Sequence, residues 1–506
     1  MNTKKLKGEI TVFLSLIMLL LMSLIFTVIE SARTAARRAY IMSVTDLGIH
    51  SVFGEFNKGL LEEFEIFGLN AGNQAGELNI NGLANKISEY LSYNINSDDV
   101  PFQNAHLNLL NPVLVGGEVE EYVLLTDFKG EPFRKQAVEY MRGKIGISGI
   151  EKLVNKTNEK DKIEEAKDTY EMEVKGNEIE LLNLQSRSEE AEEVANTETV
   201  QIETEEMEEI KDAQNIWDTL DTMKEMGILS LVLQEPQKIS KASIDTSVQL
   251  SKRIKNNGTM TNMESTKTGL VEILLFNEYM LENLSSYQEP KSESILNYQV
   301  EYVIEGKSSD TVNLKGVVDK IMSIRTGSNF LYLMQDSQKV AEAQLLATIL
   351  VGVLLIPPLI EATKMAILLG WAYVESILDV RMLLNGKNVP LFKNSANWKS
   401  SLINIPSLIS NFEEQKEEAD GMSYKDYLRI LLLSTKREVA TYRTMDIVEG
   451  AIRIKGDKSF RLDNCIVQIE FVSNWQLNFS MLSILGAGGN MKNQGIQVRN
   501  RQAYSY

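Results

Sequence analysis

The sequence predicts an α+β protein: one long N-terminal transmembrane and stalk helix, then a mostly helical body with small β-sheet elements. Three observations predict it. An unbroken apolar run lies near the start, apolar residues recur at helical spacing through most of the remainder, and a few short stretches alternate apolar with polar residues. The division expected along the chain is a short cytoplasmic tail (1–8), a transmembrane and stalk helix (9–47) and a membrane-proximal α+β region (48–150). An acidic, disordered linker (151–213), a mainly helical α+β domain (214–480) and a flexible tail (481–506) complete it.

The first helix carries most of the functional information. Between Glu9 and Glu30, the twenty residues Ile10 to Ile29 include no charge, no Gly and no Pro. At about 1.5 Å of rise per residue they make roughly 30 Å of helix, the thickness of a bilayer's hydrocarbon core. The apolar region of a secretory signal is shorter, about 7–15 residues, so the small residues of "ESARTAA" are weighed as a cleavage site and set below an uncleaved anchor. No Gly or Pro follows until Gly48, and nothing stops the helix at the membrane surface. Ser31, Ala35, Ala39 and Ser43 recur at every fourth position, which puts small residues on one face where a neighbouring helix backbone can approach. The bland alternative is that alanine simply favours helix. Lys4, Lys5 and Lys7 on one side nearly balance Arg33, Arg37 and Arg38 on the other. The short tail is therefore placed in the cytoplasm and the bulk of the chain outside the cell, in a single pass.

Composition narrows the function classes. The net charge is −18, and Asp161 to Glu209 alone hold 18 acidic and 4 basic residues. Such a surface repels nucleic acid, whose phosphates require a basic face. One cysteine, Cys465, rules out a disulfide within the chain, and its place in the alternating "CIVQIEF" marks it as packing on the inner face of a half-buried strand. The two histidines, His50 and His106, stand in no metal-ligand spacing. "GAGGNMKNQG" lacks a Walker lysine and reads as a loop. No enzyme, metal, cofactor or small-molecule substrate is expected.

Further along, "LANKISEYLSYNI" has the period of an amphipathic helix, "EYVLLTDF" reads as a strand, and "EPFRKQAVEYMRGKI" as a helix beginning at Pro132. The stretch 188–209 has ten acidic residues and few aliphatics, which predicts disorder or a fraying helix. "NYQVEYVIEG" alternates as a strand, and the next helix takes Asp310 as its N-cap. Ala343 to Ile360 is uncharged, but Pro357 and Pro358 cut it too short to span, so a buried helix, a proline turn and a second helix ending near Asn385-Gly386 are preferred to a second span. Ser423 and Asp426 open one last helix that runs to Gly450. The strand of Cys465 follows, and a second is expected in "WQLNFSMLSIL".

Two sets of residues carry a resemblance. "KGEITVFLSLIMLLLMSLIFTVIESARTAARRAYIMSVTDLGIHSVFGEFNKGLLEEFEIFGLN" resembles the start of the TadE/TadG-like pseudopilins of tight-adherence (Tad-type) pili: a Gly, an unbroken apolar span, then a small-residue helix carrying an Asp, here Asp46. Stretches within 298–472, among them "WAYVESILDVRMLLNGKNVPLFK" and "FRLDNCIVQIEF", are similar to an uncharacterised family of membrane-anchored Gram-positive proteins encoded near such pilus loci. The resemblance implies a surface assembly role without catalysis, with prepilin-type processing between Gly8 and Glu9. Its usual Glu at the fifth mature position is Phe13 here, which implies an accessory or minor subunit and not a major pilin. The partners it implies are membrane lipid and other pilus or envelope subunits met through the N-terminal helix. The competing expectation is a membrane-tethered receptor or sensor for envelope material, which needs a ligand cleft.

Overall fold

The computed structural model describes residues 6–96, 112–157, 160–195, 204–262, 269–291, 294–351, 356–410, 421–478 and 495–506, which divide between two compact units. The first unit collects residues 1–136, 254–266 and 455–506; the second collects 137–253 and 267–454. The division therefore differs from the sequential one expected. Strands from the end of the chain join elements from its beginning, because sheet pairing takes no account of distance along the chain.

The first unit opens with α1 (Leu6–Phe53), followed by α2 (Lys58–Phe64), β1 (Leu69–Asn70), α3 (Ile80–Asn96), β2 (Pro112–Leu124) and the start of α4 (Asp127–Thr157). Near its end come β3 (Cys465–Asn478) and β4 (Gly495–Ser505). β3 is the central strand. β2 pairs with it antiparallel on one side, while β1 and β4 pair with it antiparallel on the other. Its odd-numbered residues Ile469, Phe471, Trp475 and Leu477 turn inward and meet Ile41, Val44, Ile49 and Val52 of α1 and Ile87 and Leu91 of α3 in one apolar cluster. The period-2 reading holds from Val467 to Phe471, but Ile466, which it places on the outer face, is fully buried in the same cluster, next to a register shift between β2 and β3; Cys465 is buried. Two expectations are corrected here. "WQLN" continues β3 rather than starting a second strand, and 495–505 is a full strand in place of a flexible tail, secured by its register against Gln468–Asn478. The rest of "WQLNFSMLSIL" lies outside the described residues, as do His106 and the Gly-rich loop.

The second unit is helical. After the remainder of α4 come α5 (Lys160–Ala195), α6 (Thr204–Glu225) and α7 (Ile228–Val232). They are followed by α8 (Leu270–Asn283), α9 (Gln299–Glu305), α10 (Asp310–Gln335), α11 (Ser337–Val351) and α12 (Pro357–Leu384). α13 (Ile405–Ser410), α14 (Tyr424–Ser434) and α15 (Arg437–Ile454) complete it. α12 is central and packs against α5, α7, α10 and α11. It begins on Pro357 and Pro358, where a missing N–H costs nothing, and ends before Gly386, whose φ of +79° suits glycine.

Four further expectations are corrected in this unit. The acidic region is helical wherever it is described, because Ile163, Ala166 and Leu184 of α5 and Ala213, Ile216 and Leu220 of α6 are buried while Glu164, Glu165, Glu171, Glu173 and Asp212 are exposed. "NYQVEYVIEG" is the helix α9: Gln299 to Ile304 are all buried, so the alternation marks no exposed face, and Gly306 at φ +68° closes the helix. Asp310 is the first residue of α10 after Ser309 at the cap, and its carboxylate instead accepts from the N–H groups of Asn297 (2.9 Å) and Tyr298 (3.1 Å). The last helix expected is two. Between α14 and α15 the backbone turns extended at Thr435, whose hydroxyl bonds back to the Leu431 carbonyl at 2.9 Å.

Candidate functional site

α1 is 48 residues long and changes character along its length. Gly8 and Glu9, the residues of the expected processing site, lie in its first turns. From Ile10 to Ile29 every large apolar side chain but the half-buried Phe26 is exposed, Leu19 to 71%, and none is buried in the described fold. Among the described residues α1 is the one helix long and apolar enough to cross a membrane. The hydroxyls of Ser15 and Thr27 bond to the carbonyls of Val12 and Ser23 at 2.8 Å, so these two polar groups are satisfied within the helix.

Beyond Glu30 the same helix acquires two faces. Arg33, Arg37, Ile41, Val44, Thr45, Ile49 and Val52 are buried, and Glu30 stands 3.7 Å from Arg33 and 4.0 Å from Arg37. Gly48 does not end the helix. A Cβ there would come within 2.6 Å of Leu91, so the glycine admits α3 at close range. Ser31, Ala35, Ala39 and Ser43 all lie on the exposed face. Asp46, the acidic residue of the resemblance, is exposed and 3.6 Å from His50 on the next turn.

The second unit holds two features that sequence reading missed. One is a charged core. Arg325, Asp379, Lys393 and Glu375 are almost wholly buried, with Lys393 paired to Glu375 and 2.6 Å from Asp379. Burial pulls Asp379 upward, but Arg325 and Lys393 hold its carboxyl below the usual range, so the group stays ionised. Two cations and two anions balance, as buried charge requires.

The other is a cleft of about 390 Å³ lined by α5, α6 and α12. From α5 it takes Tyr170, Val174, Asn177, Glu178 and Leu181, which share one helical face. α6 adds Trp217, Leu220 and Asp221, and α12 adds Ala366, Leu369, Gly370 and Tyr373. Burial pushes the Tyr170 phenol up to about 12 and raises that of Tyr373, so both rings are neutral at physiological pH. The periodicity of α5 was visible in the sequence, but the acidic composition of 151–213 hid it. Among the described residues no group of three or more His, Cys, Asp or Glu is arranged to hold a metal.

A family model described as a family of unknown function, DUF5702, matches residues 203–477, more than half of the chain. The match takes in α6 and α12 of the cleft and the charged core, and leaves α1 and α5 outside it. No curated protein and no solved structure is matched.

Proposed function

The chain belongs to DUF5702, a family of unknown function, and we propose that it serves as a single-pass, non-catalytic component of a cell-envelope assembly of the tight-adherence pilus type, its bulk outside the cell. The observation that carries this reading is the continuity of α1. One unbroken helix offers fifteen exposed apolar residues between Ile10 and Ile29 at one end and buries Ile41, Val44, Ile49 and Val52 in the core of a folded unit at the other. Burying the exposed stretch in lipid is favourable by about 25 cal/mol per Å² of apolar surface, and a helix satisfies its own backbone there. The exposed Ser31, Ala35, Ala39 and Ser43 leave a face on which a neighbouring subunit's helix can pack. The resemblance of this segment to pseudopilins supports the assembly role.

Membrane fractionation, protease shaving of intact cells and N-terminal sequencing test the proposal together. The expected product resists alkaline extraction, is degraded from outside, and begins at residue 1 or at Glu9. A full-length product that washes into buffer removes the anchor. A terminus near Ala35 means a secreted protein released by signal cleavage. Full protection from external protease reverses the topology.

A second reading, a tethered ectodomain that binds a ligand, is favoured by one specific observation: the cleft between α5, α6 and α12.

A further inference from the structure

The sheet of the first unit ends in an open edge on each side. β3 is its centre, with β2 on one side and β4 on the other. Among the described residues the backbone of β4 bonds to β3 alone, and so does that of β2 from Pro112 to Glu121. Most of β3 is buried, whereas nothing from Val113 to Tyr122 or from Ile496 to Tyr506 is. An open edge is a row of unpaired N–H and C=O groups that another strand can complete.

The two edges carry opposite charge. Arg499 and Arg501 are exposed on β4, and Glu118 and Glu121 are exposed on β2, with Glu120 half-buried between them. Within one chain the two sets already meet across β3. Arg499 pairs with Glu120 and stands 4.0 Å from Glu118, and Arg501 pairs with Glu120 and, at 2.9 Å, with Glu470.

We propose that β4 of one copy of this chain pairs edge to edge with β2 of a second copy, extending the sheet from molecule to molecule.

Direction selects this pairing. β2 and β4 both run antiparallel to β3, so they run parallel to each other. α1 lies along β4 in the same sense, with Thr45 beside Asn500 and Phe53 beside Tyr506. Copies rooted in one membrane by α1 therefore present β2 and β4 in one direction, and a parallel pair forms without turning either copy over. An antiparallel pair of two β4 strands would point the two spans in opposite directions and, fully overlapped, would set Arg499 against Arg501. Two β2 strands would set glutamates against glutamates. The mixed pair instead brings the arginines one strand spacing, about 4.8 Å, from the glutamates, half their separation across β3.

The strands differ in regularity. The register of β4 against β3 is unbroken from Gly495 to Ser505, while β2 shifts between Leu114 and Gly116 and again between Val119 and Glu121. β2 thus offers only short regular runs, and the opposite charges fix which run is used. Each copy has one edge of each kind, so the contact is head-to-tail and repeats. This deepens the assembly reading above and rests on it for the common direction of the copies.

The test uses two full-length variants with different epitope tags, Val113→Cys and Gln497→Cys, co-reconstituted in liposomes and treated with a short bismaleimide. Both positions are exposed and align with Gln476, in one row across the sheet. The mixture is expected to give about fivefold or more of the dimeric adduct that either variant gives alone, because a head-to-tail contact brings unlike edges together. Raising the salt from about 0.05 M to 1 M should reduce the adduct several-fold. So should Glu118→Gln with Glu121→Gln in the Val113→Cys chain, whose thermal melt reports that it folds. An adduct as abundant in either variant alone would mean like edges meet and overturns the proposal. In cell membranes, a Gln497→Cys adduct with a different protein and none with its own kind would give the edge to another partner and overturn it too. Alkaline extraction of the same liposomes reads the anchor separately. A chain that stays in the membrane and gives no mixed adduct sinks the edge pairing while the anchor stands.

Discussion

Arg325 holds Asp379 through two hydrogen bonds to one carboxylate oxygen, from Nε at 3.0 Å and Nη2 at 2.7 Å, with both side chains fully buried. The remaining donors of the guanidinium are also used. Nη1 reaches the Pro390 and Leu391 carbonyls at 2.8 Å each, and Nη2 reaches the Asn329 amide oxygen at 3.2 Å. The pair thereby ties α10 and α12 to the chain after α12. Burial disfavours the charge on Arg325, yet Asp379 and Tyr427 more than offset it and raise its pKa.

Asp379→Asn keeps the shape of the side chain and removes one anion, leaving Arg325 and Lys393 to share Glu375. The expected loss is about 3–5 kcal/mol, the cost of an uncompensated buried charge. Denaturant unfolding followed through the buried Trp371 checks it. A joint Arg325→Met, Asp379→Leu variant should lose clearly less, because no orphaned charge remains.

Glu301 makes the stability of the second unit depend on pH. Burial pushes its carboxyl up to about 7, although the Tyr287 N–H (2.9 Å) and the Tyr424 hydroxyl (2.8 Å) donate to its Oε1. Its Oε2 has no hydrogen-bond partner, which suits a protonated acid. In the unfolded chain the same group ionises near 4.5. Between these two values the folded chain keeps a proton that the unfolded chain gives up. The stabilisation is therefore complete below about 4.5 and is lost as pH rises through 7, amounting to roughly 3 kcal/mol. Glu301→Gln cannot ionise, so its stability relative to the unaltered chain should rise by about that amount between pH 4.5 and pH 8. Parallel urea melts across this range measure it; an unchanging difference would mean that Glu301 is not the titrating group.

The parts of this fold legible in the sequence are those fixed locally. The long apolar start of α1, the helices α3 and α12, the proline start of α12, the Ser423–Asp426 capping box and the alternation of β3 from Val467 to Phe471 all follow from periodicity and end signals within a short window. What was not legible depends on remote contacts. β4 is a strand because β3 offers it an edge. α9 alternates like a strand, yet every residue from Gln299 to Ile304 is enclosed by its surroundings. Asp310 looks like a cap from its spacing, but its carboxylate bonds to Asn297 and Tyr298, which local pattern cannot show. The cleft is split between helices nearly two hundred residues apart, and its α5 face was masked by the acidic side chains on the other faces of that helix.

Cys465 should be silent in the native protein. Its side chain is buried at the start of β3, with Sγ 3.8 Å from the Arg461 carbonyl. A thiol with no exposure reacts only when the strand opens. A thiol-specific chromogenic reagent is expected to label the folded chain negligibly and to titrate one thiol per chain in guanidinium. Rapid stoichiometric labelling of the folded protein would contradict the burial.

The two faces of α1 beyond the apolar span should respond in opposite ways to substitution. Ile49 is 1% exposed and sits in the cluster with Ile87, Leu91 and the inner face of β3. Ile49→Ala removes buried methyl groups and leaves a void, at an expected cost of 2–5 kcal/mol as a rough range for such truncations. Ala39 lies on the outer face, and Ala39→Leu adds bulk where nothing in the described chain stands against it. Its effect on the stability of the first unit should stay within about 0.5 kcal/mol. If a neighbouring subunit's helix packs on Ser31, Ala35, Ala39 and Ser43, however, the added leucine holds the backbones apart. Thermal melts of both variants, beside cysteine crosslinking at Ala35 in membranes with and without Ala39→Leu, separate the two roles. The expected pattern is a lowered melting temperature for Ile49→Ala alone and lost crosslinking for Ala39→Leu alone. Crosslinking that survives the leucine would take the stripe out of the assembly interface and leave α1 as an anchor only.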